Sequence, residues 1–385
     1  MKHIIGFDAK RIVRNRTGLG SYARTLVNDL CHDDEAARLF SLRLYAPDRG
    51  HDDLRRQIDT AADVAFAYPE HTAPLVGKAL WRTSGITQQL KADGVSIFHG
   101  LSGELPLGIA KSGIRTVVTI HDLIFMRHPE FYPWIDAQLY KWKFRQTVRQ
   151  ADIIVAISER TRQDIIELGG VDSSRIRLVY QSCHPRFATP LPPEELERLR
   201  LAYLLPRRYL LSVGTIERRK NILLAVKAMQ QLPQDVSLVV VGRPTTYTDE
   251  VISYINEHHL EGRVILRHDV TNEALPAFYQ LAEGFVYPSV YEGFGIPIIE
   301  AISCRLPVAA CTGSCLEEAG GPDCLYAEPD DVDAMAEAMR QLLVGAPERE
   351  QRICRSYDYI SRFANTHVAQ RMTEVYKELL RDTAR

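Results

Sequence analysis

Glu292-Gly-Phe-Gly-Ile-Pro-Ile-Ile-Glu300 is the stretch on which the reading of this chain turns. It follows a short apolar run, Gly284-Phe-Val-Tyr-Pro-Ser289, with the character of a buried strand ending in a loop. Gly293 and Gly295 keep side chains out of that loop, so its backbone N–H groups can approach a ligand closely. Pro297 suits the first turn of a helix, which Ile298, Ile299, Ala301 and Ile302 continue as an apolar face. A glycine loop feeding a helix N-terminus is an anion site, because unpaired N–H groups and the helix dipole both favour negative charge. Carboxylates on both flanks are out of place around bare phosphate. They suit a ligand that also carries hydroxyls, as a nucleotide sugar does, with one glutamate for the sugar and one for the ribose. The alternative is a tight strand-to-helix turn whose glutamates are solvated or cap the helix.

The segments around the loop repeat one pattern. Residues 210–213, 237–242, 264–266, 284–288 and 306–310 read as strands, interleaved with helical patterns over 222–231, 249–258, 273–281 and 331–343. The first half does the same, with strands at 3–7, 42–45, 97–99, 116–120 and 153–156, a further candidate at 177–180, and helices such as 21–30 and 134–149. Such alternation predicts an α/β chain with parallel sheets covered on both faces. A length of 385 residues suits two domains, each able to bury its own core. The proline-rich, aperiodic stretch 184–193 marks the joint, and 363–381 reads as a long final helix.

Composition narrows the class. With 45% hydrophobic and 25% charged residues the chain reads as soluble and globular, and a net charge of -2 argues against a nucleic-acid binder. Met1-Lys-His-Ile-Ile-Gly-Phe-Asp8 reaches a charge too soon for a signal peptide, and no apolar stretch is long enough to span a bilayer. Seven cysteines, an odd number, read as reduced and mostly buried thiols of a cytosolic protein. Cys304, Cys311, Cys315 and Cys324 lack the paired spacing of structural zinc, so no metal site is expected.

The fifteen residues from Tyr287 to Ala301, with seven residues between two glutamates around a Gly-Phe-Gly loop, resemble the retaining glycosyltransferases of family 4. The resemblance implies the GT-B fold: two Rossmann-like doubly wound domains facing a central cleft. Residues 1–185 would form the acceptor domain and 195–363 the nucleotide-sugar domain, with the final helix, 364–385, crossing back to the first. Val213-Gly-Thr-Ile-Glu-Arg-Arg-Lys-Asn-Ile222 resembles the Gly-Thr-x-Glu-Pro-Arg-Lys-Asn signature of the bacterial mannosyltransferase branch, with Arg218 in place of proline. A diphosphate leaving group gains charge as the glycosidic bond breaks, and positioned cations stabilise it. Lys220 and Arg219 are the expected pair, in place of the metal that other glycosyltransferases use. Thr215 stands where several relatives carry an arginine.

Thr17-Gly-Leu-Gly-Ser-Tyr-Ala23 resembles the Gly-Ile-Gly-Arg-Tyr motif of the same branch, with Ser21 replacing arginine. It would bring the backbone at Gly18 and Gly20 to the donor phosphates. It also fits a dinucleotide fingerprint, but weakly: residues 10–17 separate it from its strand, and no acidic residue ends the next strand. His121, at a strand end, is expected near the donor sugar with Asp122 beside it; the alternative is a core histidine satisfied by backbone. His99 and Glu104, at another strand end, are candidates for contact with acceptor. Ser158 is expected to cap a helix. Gly242, Arg243 and Val270 fall where the family holds the nucleotide base, while Gly293, Phe294, Gly295 and Ile296 would line the sugar and phosphate. Residues 131–145 interleave aromatics with cations. An ordinary amphipathic helix with its aromatics in the core is the preferred reading; contact with an anionic membrane or a lipid-linked acceptor is the other.

The resemblance implies a metal-independent, cofactor-free mannosyltransferase. It would use GDP-mannose and a glycan or lipid-linked acceptor of O-antigen or capsule synthesis, in the cytoplasm or peripherally on the inner face of the membrane. Catalysis would fall to Arg219, Lys220, Glu292 and His121, with Glu300 on the ribose. GDP-rhamnose or a UDP-hexose as donor, a sugar-nucleotide epimerase, a nicotinamide-dependent dehydrogenase and a non-enzymatic sugar-nucleotide binder are the alternatives.

Overall fold

Strand and helix alternate along the chain to build two separate sheets. The computed structural model describes residues 2–60, 63–69, 77 and 80–381. The chain divides into two compact units: Met1–Ser182 with Phe363–Arg385, and Cys183–Arg362.

The first unit holds seven parallel strands, β1 (His3–Asp8), β2 (Phe40–Tyr45), β3 (Val64–Ala67), β4 (Val95–Gly100), β5 (Arg115–Ile120), β6 (Ile153–Ala156) and β7 (Ile176–Leu178), in the order β3-β2-β1-β4-β5-β6-β7. Successive residues of a strand point to opposite faces, so both faces need cover. On one face Ile5, Phe7, Leu42 and Val117 meet Ala23, Leu26, Val27 and Leu30 of helix Gly18–His32. On the other, Phe98, Val118 and Ile154 meet Ile86 and Leu90 of helix Ile86–Ala92, Phe144 and Val148 of helix Trp134–Gln150, and Ile165 of helix Glu159–Glu167.

The last helix, Asn365–Arg381, belongs to this first unit. Its apolar stripe Val368, Met372, Val375 and Leu379 has the period of a helix face and joins the core of the first sheet. Tyr376 is fully buried there, with its hydroxyl 2.7 Å from Nδ1 of His99. Arg177–Glu378 at 2.5 Å and Lys377–Glu35 at 2.6 Å flank the stripe. Such part-exposed pairs are worth little, so burial holds the helix. Truncating Met372 to alanine would cost about 2–5 kcal/mol.

The second unit holds six parallel strands, β8 (Tyr209–Val213), β9 (Ser237–Val241), β10 (Val264–Arg267), β11 (Gly284–Tyr287), β12 (Val308–Cys311) and β13 (Leu325–Ala327), in the order β10-β9-β8-β11-β12-β13. One face packs on helices Ile222–Ala228, Tyr247–Glu257 and Val332–Arg340. Each sheet is doubly wound about its first strand: β1 lies between β2 and β4, and β8 between β9 and β11. Where the order reverses, neighbouring loops leave the carboxyl edge in opposite directions and open a crevice suited to a ligand.

Two expectations change. The stretch 184–193, read as a joint, is packed onto the second unit. Phe187 is buried edge-on to Tyr279 at 5.4 Å, and Cys304 Sγ donates to the Phe187 carbonyl at 3.0 Å. Proline removes periodicity without keeping a neighbouring aromatic from the core, and the division falls at Ser182/Cys183. Strands β3 and β13 also escaped the pattern. They have four and three residues at sheet edges, too short to show a period.

Candidate active site

At the end of β8 the chain makes one tight turn, Arg218–Lys220, before helix Ile222–Ala228. Asn221 joins them in the left-handed region at φ 52°, which asparagine tolerates better than most residues, and its Nδ2 donates to the Pro329 carbonyl at 2.7 Å. The turn aims Arg219 and Lys220 at the loop after β11, where both meet Glu292. Lys220 Nζ lies 2.5 Å and Arg219 Nη1 2.9 Å from the same carboxylate oxygen, Oε1. Lys220 also donates to the Tyr287 hydroxyl at 2.6 Å, and Arg219 to the Tyr291 carbonyl at 2.7 Å and to Glu217 at 2.7 Å. Arg218 turns the other way, to Glu250 at 2.6 Å on the exposed surface.

The three central side chains are only 11–17% exposed. Burial works to raise the Glu292 carboxyl, but Lys220 and then Arg219 win and hold it down at about 2. Burial likewise works against the charge on Lys220, and the Glu292 carboxylate outweighs it, so the ammonium is held more firmly than usual. Burial pushes the Tyr287 hydroxyl up to about 12. The cluster is therefore fully ionised at neutral pH, with Tyr287 as a neutral hydrogen-bonding partner.

The nonapeptide closes over this cluster. Gly295 sits at φ 120°, where a side chain is strained, and a Cβ would lie 3.2 Å from Ala319 Cβ. Helix Ile296–Ser303 follows with Pro297 in its first turn. Cys315, fully buried, shares its one thiol proton between the carbonyls of Glu292 at 3.1 Å and Phe294 at 2.9 Å, so it tethers the loop. Phe294 itself is buried, while Gly293 and Ile296 are half-buried. Glu300 lies one turn into the helix, where Tyr279 donates to it at 2.9 Å. Burial pushes the Glu300 carboxyl up to about 7, against that hydrogen bond. The two glutamates thus differ: Glu292 is locked as a carboxylate, and Glu300 changes charge near neutrality.

Neighbouring loops complete the carboxyl edge of the second sheet. A Cβ on Gly242 would fall 1.7 Å from the Gly214 carbonyl oxygen, so the loops after β8 and β9 touch backbone to backbone. Thr215 is half-buried and shares a small cavity with Lys220 and Tyr287. Arg243 is exposed, with its carbonyl accepting from Ile216 N at 2.9 Å. Val270 packs on the small cluster of Leu199, Ala274 and Ala277.

The remaining expected site residues lie in the first unit. The N–H of Gly20 is already bonded to the Thr17 carbonyl at 2.9 Å and lies 3.3 Å from Asn15 Oδ1, while Gly18 faces open space. His121 Nε2 lies 2.8 Å from the Leu101 carbonyl, so it carries the proton, and Nδ1 lies 3.0 Å from Gln181 Nε2. Burial lowers its pKa to about 4. His121 is a neutral ring with one nitrogen on a backbone carbonyl and the other on the Gln181 side chain. Asp122 accepts from Ile124 N at 3.2 Å at the start of a helical turn. Ser158 caps helix Glu159–Glu167 through Thr161 N at 2.9 Å.

His99 is a correction. It is fully buried, its ring nitrogens lie 2.7 Å from Tyr376 Oη and 2.8 Å from Thr119 Oγ1, and burial lowers its pKa to about 3. It fastens the last helix to the sheet, and with both ring nitrogens taken up and no exposed surface it is a core residue. Glu104 does line a cavity, paired with Arg82 and Lys143. The preferred reading of 131–145 also fails in part. Phe144 is buried, but Trp134 is 75%, Ile135 73%, Leu139 46% and Trp142 52% exposed. They repeat at helical spacing, so periodicity identified an apolar stripe without revealing that no other described residue covers it.

Tyr287, Tyr279 and Cys315 were missed as partners of the site. The one available signal was position: Tyr287 is the last residue of a buried strand, next to a loop of the functional kind.

Residues 17–185 match the family model Glycosyltransferase Family 4, and residues 200–358 the model Glycosyl transferases group 1. The chain is 31% identical over 287 residues to O-antigen chain mannosyltransferase B of Escherichia coli, a match spanning 74% of each chain. It is 29% identical over 260 residues to the serotype-specific mannosyltransferase WbdA of Escherichia coli, covering 65% of this chain and 32% of that longer protein. Among solved structures, the sucrose-phosphate synthase of Thermosynechococcus elongatus shares the fold, with TM-score 0.76 at 19% identity over 99% of this chain and 100% of that one.

Proposed function

The chain belongs to glycosyltransferase family 4, with the GT-B fold and of the bacterial mannosyltransferase type, and from that membership we propose that it transfers mannose from GDP-mannose to a glycan or lipid-linked acceptor of O-antigen synthesis, with retention of configuration. The observation that carries this reading is the buried cluster of Lys220, Arg219 and Glu292 at the reversal point between β8 and β11. Its two cations answer the need of a departing diphosphate, and its carboxylate answers that of a sugar hydroxyl.

The donor's diphosphate lies against Lys220 and Arg219. Lys220 spends two of its three N–H donors on Tyr287 and Glu292, which leaves one for a phosphate oxygen. Glu292, ionised and fixed by both cations, accepts from donor-sugar hydroxyls. Backbone N–H groups of Phe294 and Gly295 meet the sugar and phosphate, and Glu300 accepts from the ribose. As the glycosidic bond lengthens, charge builds on the leaving phosphate beside cations already in place, so little reorganisation is needed. The acceptor hydroxyl attacks from the face the diphosphate leaves, and a phosphate oxygen takes its proton, so no protein carboxylate forms a bond to the sugar. The cations supply what a metal would, and activity survives chelation.

Gly18, Gly20, His121 and Asp122 shape the first unit's contribution to donor and acceptor binding. His121 holds its place as a neutral ring rather than carrying a proton. Thr215, Gly242, Arg243 and Val270 border the nucleotide. No helix among the described residues is long and apolar enough to cross a membrane. The exposed stripe Trp134, Ile135 and Leu139, with Lys141, Arg145 and Arg149 on the same helix, supports peripheral contact with an anionic leaflet that presents a lipid-linked acceptor.

The test is a thermal-shift panel of nucleotide sugars, followed by transfer from the donor that binds. GDP-mannose at about 100 times its Kd stabilises by about 2.7 kcal/mol. A shift with UDP-hexoses and none with GDP-mannose refutes the donor assignment. Conversion of a donor without any acceptor points to an epimerase instead.

A further inference from the structure

We propose that Arg186 is a positioning residue of the donor site, the fixed charge that lets Glu300 ionise and so accept from the donor's ribose, an inference that rests on the ribose role given to Glu300 above. Arg186 lies in the proline-rich stretch 184–193, which the sequence presented only as a joint.

Place is the first argument. The stretch is tied to the two helices that carry Glu300 and Tyr279. In the tight turn Pro185–Phe187 the Phe187 carbonyl accepts from Cys304 Sγ, just past helix Ile296–Ser303, at 3.0 Å, and the Phe187 ring meets Tyr279 edge-on. Gln280 of helix Leu275–Leu281 donates Nε2 to the Thr189 carbonyl and accepts from Leu191 N, both at 2.9 Å. His184 caps the turn by accepting from Arg186 N at 3.2 Å. The backbone at Arg186 is thus fixed within the second unit, beside the helix of Glu300.

An uncommitted cation is the second. The Arg186 guanidinium carbon lies 5.0 Å from the centre of the Phe187 ring, a contact that holds the group in place without neutralising it. Its Nε is buried and finds no acceptor among the described residues. A buried N–H without an acceptor is costly, so a group kept in that state calls for a reason. A charge held free of other partners to act on a nearby carboxyl supplies one.

The surroundings of Glu300 are the third. The titratable groups that face it are Tyr279 from helix Leu275–Leu281, Cys304 at the end of its own helix, and Arg186 from the turn. Burial holds the Tyr279 hydroxyl and the Cys304 thiol far up, so both stay neutral. Arg186 is the charged one of the three, and an arginine keeps its charge at any working pH. Burial is the largest influence on Glu300 and opposes its ionisation, while the Tyr279 hydrogen bond and then Arg186 favour it. Glu292 has two cations against burial and is locked as a carboxylate; Glu300 has one and is balanced near neutrality. Ionisation matters to the ligand, because a carboxylate accepts from both ribose hydroxyls, whereas a protonated carboxyl must place a hydrogen of its own.

The experiment follows Glu300 and the donor separately in the full chain. NMR of carboxyl-labelled glutamate reads the ionisation of Glu300, whose line is identified by its loss in Glu300→Gln. Arg186→Ala is expected to move that ionisation up by about one pH unit, and Arg186→Lys, which keeps the charge, by much less. In the transfer assay the same shift raises donor KM about fivefold near pH 7 and leaves it almost unchanged near pH 9, with kcat at saturating donor level throughout. Adding Arg186→Ala to Glu300→Gln changes donor KM no further. Should the alanine variant fail to fold, Arg186→Gln removes the charge with less change of shape and is read in the same way. A Glu300 that ionises as in wild type overturns the proposal. So does a donor KM raised by one factor at both pH values, the mark of a residue that only props the turn. A shifted Glu300 with a donor KM indifferent to pH keeps the charge link and refutes the ribose role of Glu300. A wild-type donor KM that follows pH, with Glu300 unmoved in Arg186→Ala, keeps the donor reading and refutes Arg186.

Discussion

Replacing Lys220 with alanine removes the cation that sits 2.5 Å from Glu292 and 2.6 Å from the Tyr287 hydroxyl. The structure lets the effects on stability and on rate be separated. Orphaning one member of a buried ion pair commonly costs about 3–5 kcal/mol. Glu292 is not orphaned here, since Arg219 remains 2.9 Å from the same oxygen. The expected loss is therefore smaller, about 1–2 kcal/mol, or a fall in Tm of a few degrees for a unit of this size. The effect on rate is larger. Lys220 faces the charge that grows on the leaving phosphate, and removing one positioned stabiliser of such charge costs about 100- to 1,000-fold in kcat. The assay is single-turnover transfer at saturating donor, paired with a melting curve on the same preparation. A variant that melts within a few degrees of wild type and turns over within about threefold of it refutes the diphosphate role. Ground-state donor affinity should change less than the rate, because the charge that Lys220 meets is greatest in the transition state.

Glu300 gives a prediction in pH. Its carboxyl is raised to about 7, so the folded state holds a proton that the unfolded state gives up near the ordinary carboxyl value of 4.5. Stability from this group is present below that lower value and is lost as pH rises through about 7, and Glu300→Gln should flatten that slope in melting curves. Ribose binding needs the carboxylate, so donor KM should fall as pH rises through about 7 in the wild type and stay level in Glu300→Gln. Glu292 behaves oppositely: its depressed pKa of about 2 gives stability that is full above 4.5 and lost only as pH falls toward 2, so its cluster should be indifferent between pH 5 and 9. Cys315→Ala frees the carbonyls of Glu292 and Phe294 from the thiol they share and should raise donor KM, at a stability cost of about 1 kcal/mol. Wild-type donor KM in that variant would show that the thiol does not hold the loop. Gly242→Ala drives a methyl into the Gly214 carbonyl and should abolish soluble expression or lower Tm by more than any other substitution named here.

Much of this was legible because the relevant pattern is local. A glycine loop between an apolar run and an apolar helix face announces a strand, a turn and a helix N-terminus within twenty residues. The structure places β11 and helix Ile296–Ser303 there, with Glu292 and Glu300 on either side of the loop. The cations of the β8 turn were visible for the same reason. Less legible were partners brought in from elsewhere in the chain. Cys315 supports the loop from 21 and 23 positions away, and nothing in its own neighbourhood says so. His99 stood at a strand end beside two glycines, as a ligand-binding residue would. Tyr376, 277 positions later, buries it. Trp134 and Trp142 have the spacing of a core face, yet both are more than half exposed. Spacing tells which side chains share a face and leaves open what that face meets.

The sequence alone therefore determined two α/β halves, a backbone-lined anion loop and a set of carboxylates and cations, since these follow from periodicity and short-range stereochemistry. Only the tertiary structure decided that Lys220 meets Glu292 across 72 positions, that one glutamate is held ionised while the other is poised near neutrality, and that Asp8, Arg82 and Glu104 wall a cavity. Strand order sets those distances, and burial sets those charges. Both are properties of the packed sheet, in which residues remote along the chain are brought to one edge and water is taken away.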